Sequence, residues 1–134
     1  MNTFVTDTHA LLWYLSRDPA LSAPAAALFR QADAGAAEIV IPSIVLVEVV
    51  YLCERQRVPD DRIDRLLALP IQSGSRYHIA PLDEPVVRAL RLIPRDQVPD
   101  MPDRIIGATA LHLGLPLITC DNRLTKSGRL TCVW

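Results

Sequence analysis

The chain has 134 residues, half of them hydrophobic and 22% charged, which fits one domain with its own core and excludes a mainly disordered chain. Fifteen acidic against fourteen basic residues leave a formal net charge of −1. That balance argues against holding nucleic acid by bulk positive charge, while leaving open charges sorted by location.

Thr3–Thr6 is a short β-prone run ending at Asp7, and His9–Leu15 follows as a helix with Leu11, Leu12 and Leu15 on one face. Ser22 as N-cap, with Pro24 in the first turn, predicts an Ala-rich helix over Ala25–Ala34 that stops at Gly35. Glu38–Ile41 is a second strand, closed by Pro42. Ser43 stands where it can cap the next helix, which runs to about Gln56. The β-branched residues of that segment favour a strand, but its length favours a buried helix. Asp60 is expected to cap a helix carrying Ile63, Leu66, Leu67 and Leu69, ending before Pro70. Tyr77–Ala80 reads as the third strand, and Asp83–Leu92 as a helix with Pro85 in its first turn. Asp100 or a neighbour caps Pro102–Leu113, which Gly114 ends. Leu115–Thr119 is the fourth strand and Leu130–Val133 a fifth. Short apolar strands alternating with helices predict one α/β domain over residues 1–134, its mainly parallel sheet covered on both faces.

Cys53, Cys120 and Cys132 are odd in number and widely spaced. They fit buried, reduced thiols better than disulfides or a zinc site. The opening residues carry no basic stretch and no long apolar run, so no signal peptide is expected. The longest apolar stretch, Ile39–Cys53, is interrupted by Pro42, Ser43 and Glu48, so no membrane span is expected and the reading is cytoplasmic. All the basic residues except Lys126 are Arg, which suits phosphate contacts but is better explained by compositional bias.

In an open parallel sheet, ligands bind outside the carboxyl ends of the strands. Asp7 and Asp121 sit at two such ends. Either one alone reads as a helix or turn cap. Glu48 lies in an otherwise apolar helix, so it should be partly buried and should meet a cation or take up a proton. Asp103 opens its helix, where an acid is favourable in any case. Together the four acids are the donor set of a hard, oxygen-ligated divalent metal, and no His/Cys spacing supports zinc.

At these residues the chain resembles a PIN-domain ribonuclease, and more narrowly the VapC toxins of type II toxin–antitoxin modules. Phe4–Trp13, with Asp7, is similar to the first family motif; Ile41–Glu48 to the second; Asp100–Ala110, with Asp103, to the third; Leu117–Leu124, with Asp121, to the fourth. The motifs occur in family order over nearly the whole chain. Any one of them is weak, and the ordered set is specific. The resemblance implies a three-layer α/β/α fold in which Asp7, Glu48, Asp103 and Asp121 hold Mg²⁺ or Mn²⁺ and catalyse. It further implies hydrolysis of RNA such as tRNA or rRNA to 5′-phosphate and 3′-hydroxyl ends, a VapB-like antitoxin partner and a homodimer. Asp100 reads as a ligand or as the helix cap supporting one, and Thr119 as a strand-end residue or a hydroxyl supporting a carboxylate.

His9, beside the first acid, is a candidate RNA contact, although a lone His near an apolar helix is commonly packed. Arg123 and Lys126, after the last acid, are better candidates for phosphate than Arg55, Arg57, Arg62 and Arg65, which read as a solvated helix face. Arg104 reads as a structural ion-pair donor, and His78 and His112 as structural. Trp13 and Tyr14 read as packing or partner-facing rather than base-stacking, and the Leu11–Tyr14 segment and the Ile63/Leu66/Leu67 helix as docking surfaces. A phosphoaspartyl phosphatase is disfavoured because His9 stands where a second Asp belongs. The runner-up is a catalytically silent PIN-like scaffold regulated by a protein partner.

Overall fold

The first strand, β1 (Asn2–Thr6), ends in buried Val5 and Thr6 and turns through Asp7 directly into helix α1 (Thr8–Ser16). The same short strand-to-helix passage recurs along the chain. The computed structural model describes residues 1–134. Helix α2 (Ala23–Asp33) precedes β2 (Ala37–Pro42), and α3 (Ser43–Glu54) and α4 (Arg62–Ala68) precede β3 (Tyr77–Ala80). After these come α5 (Glu84–Leu90), α6 (Met101–Leu113), β4 (Leu117–Ile118), α7 (Asn122–Lys126) and β5 (Cys132–Val133).

All five strands are parallel, in the order β3-β2-β1-β4-β5. The chain first builds outward from β1 through β2 to β3, then returns to lay β4 and β5 on the other side of β1. The order therefore reverses between β1 and β4, where an open α/β sheet leaves a crevice at its strand ends. Successive residues Ile39, Val40 and Ile41 are all buried, so helices cover both sheet faces, as three layers require. Phe29, Leu11, Ile106 and Leu124 join these strands in one core. Each such fully buried side chain stabilises the fold by about 1.5–3 kcal/mol.

Local chemistry sets most helix ends. Ser22 Oγ accepts from Ala25 N at 3.2 Å, and Gly35 takes the left-handed conformation (φ 80°) after α2. Asp100 caps α6, Pro102 sits in its first turn, and Gly114 ends it at φ 66°. Arg104 donates from Nε to Ile93 O at 2.8 Å and from its terminal nitrogen to Leu90 O at 3.1 Å, so it ties α6 to the end of α5 through carbonyls rather than an ion pair.

Several expectations are corrected. Ser43 does not cap α3: Pro42 holds the N-cap position, and Ser43 Oγ accepts from Leu82 N at 3.1 Å across the edge of the sheet. Asp61, not Asp60, precedes α4, and it makes no side-chain capping bond. Helix α3 is only partly buried, since Val47, Val50 and Tyr51 are exposed at 47%, 40% and 56%. Leu11, Leu12 and Leu66 face the core, which removes them from any docking surface. Of the three free cysteines only Cys53 is buried, and Cys120 is exposed. His78 and His112 are also exposed. No helix is long and apolar enough to cross a membrane.

Candidate active site

Asp7, Glu48, Asp100, Asp103 and Asp121 line one cavity of about 380 Å³, together with His9, Trp13 and Cys120. It lies where the sheet order reverses: Asp7 follows β1, and Asp121 stands three residues past β4. Three of the acids are helix N-caps. Asp7 Oδ1 accepts from Ala10 N at 2.9 Å, Asp100 Oδ1 from Asp103 N at 3.0 Å, and Asp121 Oδ1 from Arg123 N at 2.9 Å. The capping reading of Asp7, Asp100 and Asp121 therefore holds without competing with the cavity. One carboxylate oxygen is taken by the backbone, and the N-termini of α1, α6 and α7 all carry their partial positive charge toward the acids.

Two buried threonines brace the remaining geometry. The Thr119 hydroxyl lies against the Asp7 carboxylate, where it favours the charged form, and accepts from Asp121 N at 3.1 Å, so it stands between the acids at the ends of β1 and β4. Thr8, at the first position of α1, donates its hydroxyl to Glu48 Oε1 on α3. Glu48 is thus half-buried as expected, but it meets a hydroxyl and not a cation.

Burial is the main cause raising the carboxyls of Asp7, Glu48 and Asp103 above their ordinary range. For Asp103 the charges of Asp100, Asp121 and Glu48 add to burial, and it is pushed up to about 7. None of these acids is in a salt bridge with Arg or Lys. No Arg or Lys neutralises the charge of the cavity. The donor set is five carboxylates against one imidazole and one thiol, which suits a hard cation such as Mg²⁺ or Mn²⁺ far better than zinc. No three His, Cys, Asp or Glu side chains are drawn together at metal-binding separation, so the fit rests on donor chemistry and charge.

The other candidates divide. His9 lines the cavity, whereas Arg123 and Lys126, exposed on α7, do not. Arg57, assigned from sequence to a solvated face, lines an adjoining cavity that shares His9 and Trp13. Sequence reasoning missed Thr8, whose partner is forty residues away, and Trp134, whose ring meets Trp13 at 5.9 Å. No local signal marks either contact.

Comparison with known proteins agrees with this geometry. The chain is 27% identical to "Ribonuclease VapC22" of Mycobacterium tuberculosis, over all of both chains. Its fold is similar to that of VapBC2 from Rickettsia felis, solved bound to a DNA fragment from their promoter (TM-score 0.71, 16% identity, 98% of this chain and 97% of that one). It is also similar to a toxin–antitoxin complex from Klebsiella pneumoniae (TM-score 0.54, 19% identity, 87% and 85% covered). The family model described as PIN domain matches residues 4–130, which include every acid of the cavity. By that match, across strands, helices and acids alike, the chain belongs to the PIN-domain family.

Proposed function

We propose that this chain is a metal-dependent endoribonuclease and the toxin of a toxin–antitoxin pair. The observation that carries this reading is the convergence of Asp7, Glu48, Asp103 and Asp121 on one cavity with no Arg or Lys paired to any of them. The ribonuclease name of the 27% identical relative supports the activity, and the toxin–antitoxin complex of similar fold supports the biological role. A silent scaffold would have no use for four facing carboxylates that destabilise one another.

Asp7, Glu48, Asp103 and Asp121 would hold the cation, with Asp100 supporting Asp103 from the helix cap. Held there, Mg²⁺ or Mn²⁺ would supply positive charge to the phosphate and help activate water for attack. The P–O3′ bond breaks, leaving a 5′-phosphate and a 3′-hydroxyl. Thr119 would steady Asp7, and Thr8 holds Glu48 by Oε1. Asp103 holds a proton near neutrality before loading and must lose it, so cation affinity rises with pH. His9 would contact RNA at the cavity, and Arg123 and Lys126 would reach phosphates farther along the strand.

A VapB-like antitoxin would cover the part-exposed Trp13 and Tyr14 of α1 and the exposed Leu67 of α4. The exposed Val47, Val50 and Tyr51 of α3 would form the face of a homodimer. The chain would work in the cytoplasm, where RNA and antitoxin meet. The test is cleavage of tRNA or rRNA with Mg²⁺, with EDTA, and by Asp7→Asn. Cleavage should require the metal and disappear in the variant, and metal-independent cutting or an undiminished variant overturns the reading.

A further inference from the structure

The chain is poor in aromatic residues, at 5%, yet Trp13, which lines the acid cavity, is met by its only other tryptophan, Trp134, from the opposite end of the sequence. Trp13 and Trp134 lie 5.9 Å apart at 65°, and His9 lies 5.6 Å from Trp13 at 50°. Neither contact is a face-to-face stack, so the rings do not cover one another. Trp134 is 36% exposed and His9 is exposed. Trp13 lines the acid cavity and also two further cavities, so its ring borders all three.

We propose that Trp13, Trp134 and His9 form a stacking platform for a nucleobase flanking the scissile phosphate. The ligand in this inference rests on the nuclease reading; the platform rests on the rings. A protein of net charge −1 with an acidic cavity cannot draw in RNA by bulk attraction. Stacking is attractive without charge, tolerates any base, and is worth about 1–3 kcal/mol per base. It holds the strand where electrostatics alone would repel it.

The chain's only tryptophans are at this site, so tryptophan emission excited at the red edge, clear of the three tyrosines, reports on it alone. Short single-stranded RNA oligomers, base-bearing or abasic on the same backbone, are titrated into the Asp7→Asn protein with Mg²⁺. Base-bearing RNA should quench the emission and abasic RNA should not. Trp134→Leu, a surface change, should weaken binding by about 5- to 100-fold. Trp13→Leu should do at least as much, and Trp134→Leu carries the test alone if Trp13→Leu fails to fold. Equal quenching by abasic RNA, unchanged affinity in Trp134→Leu, or quenching only by a peptide partner each overturns the platform. Metal-dependent cleavage with base-independent quenching rejects the platform and keeps the nuclease. Base-dependent quenching without cleavage does the reverse.

Discussion

Two of the cavities in this molecule contain more than one acid, and only one has the makings of a reaction site. The larger, about 570 Å³, lies beside α1 and α2 and contains Asp33 with Arg17 and Arg30. Asp33 is satisfied: Oδ2 accepts from the Tyr14 hydroxyl and Oδ1 from that of Tyr77 at 3.1 Å. Burial and the Asp33 carboxylate together push Tyr14 up to about 12 and raise Tyr77 as well, which keeps both hydroxyls protonated as donors. The smaller cavity sets carboxylates against one another with neither cation nor phenol between them. Size therefore does not identify the site. A carboxylate whose oxygens are occupied stabilises the fold, whereas facing carboxylates cost stability and await a cation.

Substitutions in the two cavities should separate these roles. Asp103→Asn should lower cleavage by about 10²–10³-fold, equivalent to several kcal/mol of transition-state stabilisation, while leaving the metal-free fold as stable or more so. Asp33→Ala should do the opposite. It strands two tyrosine hydroxyls and should cost about 2–4 kcal/mol in denaturant unfolding, with cleavage per folded molecule unchanged. If Asp33→Ala abolished cleavage in folded protein, the contrast between the cavities would be wrong.

Smaller changes sharpen the same comparison. Thr119→Val removes the hydroxyl bracing Asp7 and should weaken Mn²⁺ binding, read by electron paramagnetic resonance, by about 10–100-fold, with Thr119→Ser restoring it. Tyr77→Phe leaves Asp33 one donor from Tyr14 and should cost only about 1 kcal/mol, with Mn²⁺ affinity untouched.

The mildest effect concerns pH in metal-free protein. Folded Asp103 keeps its proton up to about 7, whereas an unfolded Asp releases it at about 4. Between these values the folded state binds the more protons, so stability falls as pH rises through that window and levels off above it. Asp7 and Glu48 are shifted in the same direction. Thermal midpoints in EDTA should decline from about pH 4 to about pH 7, and Asp103→Asn should flatten the slope. A midpoint that climbs with pH would show that the acids are paired after all.

The parts legible in the sequence are those governed by short-range chemistry. Ser22 with Pro24 and Gly35, and Asp100 with Pro102 and Gly114, mark helix ends because capping and left-handed turns involve neighbours along the chain. Asp7 and Asp121 could be placed at strand ends for the same reason. Ser43 shows the opposite: its hydroxyl serves Leu82, far away in sequence, and not the start of its own helix. Helix α7 has five residues, too few to show periodicity, and β4 is two residues shorter at its start than its apolar run because pairing with β1 and β5 sets its length. Exposure of Val47, Val50 and Tyr51 was illegible for a related reason: hydrophobicity predicts burial, but not which molecule provides it.

The order and identity of the acids, their capping roles and the parallel α/β class were determined by the sequence itself, through local hydrogen-bonding preferences and hydrophobic patterning. Only the tertiary structure decided that these acids face one another without a cation, that Thr8 and Thr119 brace them, and that Trp134 returns to Trp13. The reason is the reversal of strand order beside β1. It sets the ends of β1 and β4 side by side and brings the N-terminus of α6 to them, and no residue carries that adjacency in its own propensity.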